Sequence, residues 1–144
     1  MKLIDIQTSW EQDSSIDRTN LGEESLRIPQ LHSKYFKIYS TERMRAKEFH
    51  NEYKKLYKKK YEYFMGTMSE EDLQLNNWEP HPLKILKTDI PIYMEADEEL
   101  ALLKSRIDLQ EEKINFVESI IKSLSTRGFQ IKSAIDWIKF TQGV

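Results

Sequence analysis

Apolar residues recur along most of this chain at the three- and four-residue steps of helices, and one stretch in the middle lacks that rhythm. Leu3, Ile6 and Trp10 sit at helical spacing, which predicts a short helix with one docked side, ended by Asp13, Ser14 and Ser15. Asn20 is placed to cap a helix beginning at Leu21, with Glu23 at the acidic third position of a capping box. Pro29 falls inside that pattern and predicts a kink, or a restart near Ile28. From Gln30 to Phe64 the periodicity predicts one long helix, about 50 Å at a rise of about 1.5 Å per residue. Its packing side carries Leu31, Tyr35, Ile38, Phe49, Tyr53, Leu56, Tyr63 and Phe64; Ser40–Thr41 is its weakest interior point, and Gly66 supplies a left-handed stop.

Residues 67–95 read differently. They begin acidic and contain Pro80, Pro82 and Pro91, a density that excludes a regular helix across the segment and predicts a long connection. Leu83, Ile85, Leu86, Ile90 and Ile92 predict that part of it lies extended on the core. Asp97 then caps a helix whose first turn holds Glu98 and Glu99. Leu100, Leu103, Ile107, Gln110, Ile114, Val117, Ile121 and Leu124 form a seam of alternating three- and four-residue steps with one polar member. That seam suits either an antiparallel hairpin with the helix at 30–64 or packing on copies of itself. Thr126-Arg127-Gly128 predicts a break, followed by a short terminal helix that is apolar most of the way round. Such a helix is either tucked onto its own domain or shared between subunits.

The expected fold is therefore all-α: a long helical hairpin, a long irregular connection and a short C-terminal helix. It reads as a single helical domain over 1–144, with N-terminal helices to 66, the connection at 67–95 and a further helical region from 96. Composition agrees, with 32% charged residues and only four glycines in 144 residues. The absence of cysteine excludes disulfides and thiolate metal sites. No apolar run approaches a membrane span, and the N-terminus has acids where a signal peptide needs an apolar stretch, so a soluble, cytoplasmic protein is expected.

Charge adds the main functional signal. The chain carries a net charge of -2, yet between Arg43 and Lys60 there are eight Lys or Arg and two Glu. At about 100° per residue, Arg43, Lys47, His50, Lys54, Lys58 and Tyr61 share one narrow stripe with Tyr57 at its edge. A lysine-rich stripe is ordinarily a solvated helix face. Its other reading is an anion track, and the interleaved tyrosines point to single-stranded nucleic acid, whose backbone attracts cations and whose splayed bases stack on aromatic rings. No phosphate-binding glycine loop occurs, and His32, His50 and His81 lack metal-site spacing. Glu70-Glu71-Asp72 has no companion motif that would make it a cation site. No enzyme, cofactor or metal is expected. The readings that remain are a nucleic-acid-binding assembly factor and a non-catalytic scaffold or adaptor that binds only protein.

Two patches resemble a known family. YKKKYEYFMG, from Tyr57 to Gly66, resembles the Lys-x-Arg region of UvsY-type recombination mediator proteins of T-even-like phages, and LSTRGFQIKSAIDWIKFTQG, from Leu124 to Gly143, resembles their C-terminal end. The resemblance implies a non-enzymatic helical homo-oligomer, a ring of about six or seven subunits, that works in the host cytoplasm. It implies binding of single-stranded DNA and loading of a RecA-like phage recombinase onto DNA coated by single-strand-binding protein. Lys58 and Lys60 occupy the family's Lys and Arg positions for single-strand binding; lysine at the second keeps the charge and loses the planar fork. On an ideal helix Lys60 points away from the stripe, so it reaches DNA by snorkelling or through subunit assembly. The expected DNA set is Arg43, Lys47, Lys54, Tyr57, Lys58, Lys59, Lys60 and Tyr61. The expected assembly set is Phe129, Ile131, Ile135, Trp137, Ile138 and Phe140, because the family's C-terminal region drives association.

Overall fold

A computed structural model describes residues 1–143, and among these every regular element is an α-helix. The helices are α1 (Leu3–Asp13), α2 (Leu21–Met65), α3 (Glu70–Leu75), α4 (Ile90–Ala96) and α5 (Glu98–Gln142). None is long and apolar enough to cross a membrane. The chain divides into two compact units: Met1–Met44 with the segment from Glu111 onward, and Arg45–Gln110.

The first unit packs α1 with the early part of α2 and the late part of α5 around Ile6, Leu31, Tyr35, Val117, Ile120 and Leu124. Trp10 meets the Tyr35 ring edge-on at 5.5 Å. Two buried cations of α5 hold α1 at its ends. Lys113 Nζ donates to the Met1 carbonyl at 2.9 Å and to Glu42 Oε2 at 3.4 Å, while the Met1 ammonium lies 3.7 Å from Glu42 Oε1. Arg127 Nη2 donates to the carbonyls of Asp13 and Ser14 at 3.0 and 2.7 Å and covers the Trp10 ring. Fourteen helical steps separate these cations, about 21 Å of rise, which matches α1 with its flanking residues. A guanidinium at the carbonyl end of α1 also complements its dipole.

Asp13 anchors α1 to α2. Its carboxylate accepts from Arg27, Lys34 and the Tyr35 hydroxyl at 3.2, 2.6 and 2.8 Å. Burial pushes its pKa upward, but the hydrogen bonds from Lys34 and Tyr35, with the charges of Lys34 and Arg27, hold it below the usual carboxylate value. Burial, reinforced by the Asp13 charge, raises the Tyr35 hydroxyl to about 12.

The second unit packs α2 against α4 and the start of α5 around Ile90, Met94 and Leu100, with Tyr53, Leu56, Tyr61, Phe64 and Ile85 against that centre. Gly66 ends α2 with φ +74°. Asp97 Oδ2 accepts from the Leu100 amide at 3.0 Å and so caps α5. The proline-bearing connection is irregular apart from α3 and α4, and Ser69 caps α3 through its bond from the Asp72 amide. Of the apolar residues expected on the core, Ile90 is buried, whereas Leu83, Leu86 and Ile92 are exposed.

Three local expectations are corrected. Helix α2 is one element from Leu21 to Met65 with no restart near Ile28; Pro29 and Ser25 are both exposed, where water can replace the donor that the Ser25 carbonyl loses. Helix α5 runs unbroken through Gly128, since the buried Leu124, Arg127 and Ile131 anchor both sides of a glycine whose helical penalty is only about 1 kcal/mol. The seam also changes step. Lys113 and Ile120 are buried where Ile114 and Ile121 were expected, and these two isoleucines are half-buried beside them.

Candidate nucleic-acid interface

The second unit presents the basic face. Tyr53 and Leu56 bury one side of α2 against α4 and α5, which turns the opposite side outward. Lys47, Lys54, Lys55, Lys58 and Lys59 are all exposed there. Lys58 is 80% exposed in its side chain, and its 3.9 Å approach to Glu62 is a surface pair that leaves the ammonium open to other anions. Lys55, outside the set read from the sequence, stands as open as its neighbours. Arg43 lies in the first unit, exposed, with its guanidinium over the Tyr39 ring.

The tyrosines divide. Tyr57 is 44% exposed, and its ring lies 6.1 Å from that of Tyr53. Tyr61 is half-buried against the Ile90–Met94–Leu100 cluster, so it is less open to a stacking base than its place in the stripe indicated.

Lys60 lies away from the stripe, as its helical angle predicts, and is packed inside the unit. It is only 6% exposed, its ammonium 3.1 Å from Asp97 Oδ1, 3.3 Å from Glu99 Oε1 and 4.2 Å from the centre of the Trp78 ring. Two helical steps, about 200°, separate it from Lys58 and turn it to the packed side. Asp97 thus spends one oxygen on the α5 cap and the other on Lys60. Trp78 in turn meets Tyr63, whose hydroxyl donates to the Glu79 carbonyl at 2.6 Å. Lys60 ties the irregular connection to α2 and is not on the outward face.

Three helices of this unit also form a groove of about 560 Å³ beside the basic face. Tyr53 and Tyr57 wall it from α2, Glu95 from α4, and Lys104, Ser105 and Asp108 from α5. No spacing in the sequence marks this groove, because its lining comes from three separated segments.

The C-terminal set also divides. Phe129, Trp137 and Phe140 are exposed, with the last two rings stacked at 5.9 Å, and Ile138 is at the margin of exposure. Ile135 is half-buried. Ile131 is buried within its own chain, one turn beyond Arg127, and is thereby removed from any outer surface. No group of metal ligands occurs among the described residues. His32 stacks on Phe36, and His81 sits among Tyr63, Phe64 and Tyr93.

The fold and this face define a helical protein with an outward cationic and aromatic surface. A family model described as recombination, repair and ssDNA binding protein UvsY matches residues 9–144, and the chain belongs to the UvsY family. It is 22% identical over 143 residues to the recombination protein uvsY of Enterobacteria phage T4, covering 99% of each chain. Crystal structures of the bacteriophage T4 recombination mediator protein UvsY share its fold. The form in lattice type II superposes with a TM-score of 0.86 at 21% identity, covering 99% of this chain and 98% of that one. The form in lattice type IV gives 0.85 at 21% identity, with 97% and 99% covered.

Proposed function

We propose that this protein is a non-catalytic recombination mediator: it binds single-stranded DNA and helps a RecA-like phage recombinase to load where single-strand-binding protein already covers the strand, in the host cytoplasm. The observation that carries this reading is the exposed stripe of Lys47, Lys54 and Lys58 on α2, with Tyr57 at its edge and Lys55 and Lys59 exposed further round, in a chain of a family described by single-strand binding. Lys47, Lys54, Lys55, Lys58 and Lys59 take phosphates, and Tyr57 stacks on a base. Each contact is weak and salt-sensitive. Repetition in a homo-oligomer, joined through the exposed Phe129, Trp137 and Phe140, multiplies them by effective concentration. The adaptor reading rests on Lys60, a cation of the basic run already taken up by the chain's own acids.

Fluorescence anisotropy of a labelled single-stranded oligonucleotide, titrated at several salt concentrations with duplex competitor, separates the two. Salt-dependent binding that prefers the single strand is expected. A folded protein that ignores the oligonucleotide at low salt leaves the adaptor.

A further inference from the structure

The groove beside Tyr57 has a lining that a phosphate track does not need. Its walls are Tyr53 and Tyr57 with apolar groups of α4 and α5, among them Met94 and Leu100, and its polar groups are of both signs: the carboxylates of Glu95 and Asp108, the ammonium of Lys104 and the hydroxyl of Ser105. Carboxylates repel a phosphate backbone, so the interior suits an uncharged guest with a flat face and a polar edge. The Ser105 hydroxyl donates its proton to the Ala101 carbonyl at 3.0 Å and offers only its oxygen lone pairs to the groove. Lys54 and Lys58 follow Tyr53 and Tyr57 in sequence, about 100° further round α2, so exposed cations flank the aromatic wall. Phosphates attract to the rim, and the interior takes what hangs from them.

We infer that this groove is a nucleobase-binding site that receives one splayed base of a bound single strand and favours guanine. The inference rests on the single-strand reading above and adds a base preference to it. Guanine alone among the four bases offers two adjacent N–H donors, at N1 and N2, that one carboxylate accepts together, and beside them the O6 acceptor that an ammonium reaches. Thymine has no exocyclic amine and offers a carboxylate only the single N3–H donor, so it makes one bond where guanine makes two. Stacking on Tyr53 and Tyr57 holds any base; the acids and Lys104 discriminate.

The test uses the full chain and labelled oligonucleotides of equal length: all-thymine, thymine with isolated guanines, and the same strand with inosine at the guanine positions. Isolated guanines are expected to tighten binding by about five-fold over all-thymine, the low end of discrimination for a solvent-open site, and inosine, lacking the N2 amine, to lose most of that gain. Glu95→Gln with Asp108→Asn should collapse the guanine-to-thymine ratio towards one while all-thymine still binds at least as tightly, since two repulsive charges are gone. Equal wild-type affinity for the three strands overturns the base site and leaves strand binding intact. A guanine preference that survives the double substitution overturns the assignment to this groove. Failure of every strand to bind overturns the single-strand reading itself, a distinct result.

Discussion

The two compact units use cations in opposite ways. In the first, Lys113 and Arg127 are buried and engaged with Glu42 and the carbonyls at the ends of α1, so positive charge locates a helix. In the second, Lys47, Lys54, Lys55, Lys58 and Lys59 face outward, and Lys60 alone of the run from 54 to 60 is turned in, held by Asp97, Glu99 and Trp78. Residue type is the same throughout the run. Angular position on the helix and the acids that happen to face it decide which lysine is structural and which is available.

The largest effect that would break this contrast lies at Lys113. Truncation to alanine removes the ammonium that lies 3.4 Å from Oε2 of Glu42, a carboxylate only 2% exposed. Removing one partner of a buried pair is expected to lower stability by about 3–5 kcal/mol. Urea unfolding measures this, and a loss below about 1 kcal/mol would mean that the pair is solvated. Next comes Lys60→Ala against Lys59→Ala. The first should lose about 1–3 kcal/mol, as a buried charge-assisted hydrogen-bonding group, and the second should stay within about 0.5 kcal/mol. Equal stabilities would erase the distinction between the inward and outward lysines.

A third, smaller effect is the pH dependence of the first unit. Tyr35 is raised to about 12 in the fold from an ordinary value of about 10. Its contribution is complete below about pH 10 and is lost as pH rises through about 12. Asp13 is shifted the other way, so its contribution is present above its unfolded value of about 4 and is lost as pH falls through the lower folded value. Tyr35→Phe should therefore flatten the alkaline limb of a stability profile. An alkaline limb identical to that of the parent protein would exclude Tyr35 as its source. The smallest effect on stability is expected from Lys58→Ala with Lys59→Ala, whose consequence appears instead in binding. The slope of log affinity against log salt should become shallower by about 0.7 per lost phosphate contact. An unchanged slope would remove these lysines from the strand.

Local signals carried much of the architecture. Asn20 directly precedes α2, Gly66 ends it with φ +74°, and Asp97 caps α5, because capping and left-handed stops depend on a few neighbouring residues. Pro29 and Gly128 misled for the complementary reason. Their penalties are real but small beside the packing that Leu31 and Tyr35 supply after one, and Leu124, Arg127 and Ile131 supply around the other. The burial of Lys113 and Arg127 was invisible in sequence, because a charged residue at a seam position reads as surface until two helix ends are placed against it.

For this protein the sequence by itself determined an all-α chain, the limits of α1 and α2 and the start of α5, and the segregation of lysine and tyrosine onto α2. These follow from periodicity, capping and charge, all properties of short stretches. Only the tertiary structure decided that Lys60 is an internal clamp, that Tyr57 is more open than Tyr61, and that Glu95, Lys104, Ser105 and Asp108 share a groove with Tyr53. Those outcomes depend on which distant segment covers each face of a helix, and the free energy of burying or pairing a side chain is settled by that neighbour.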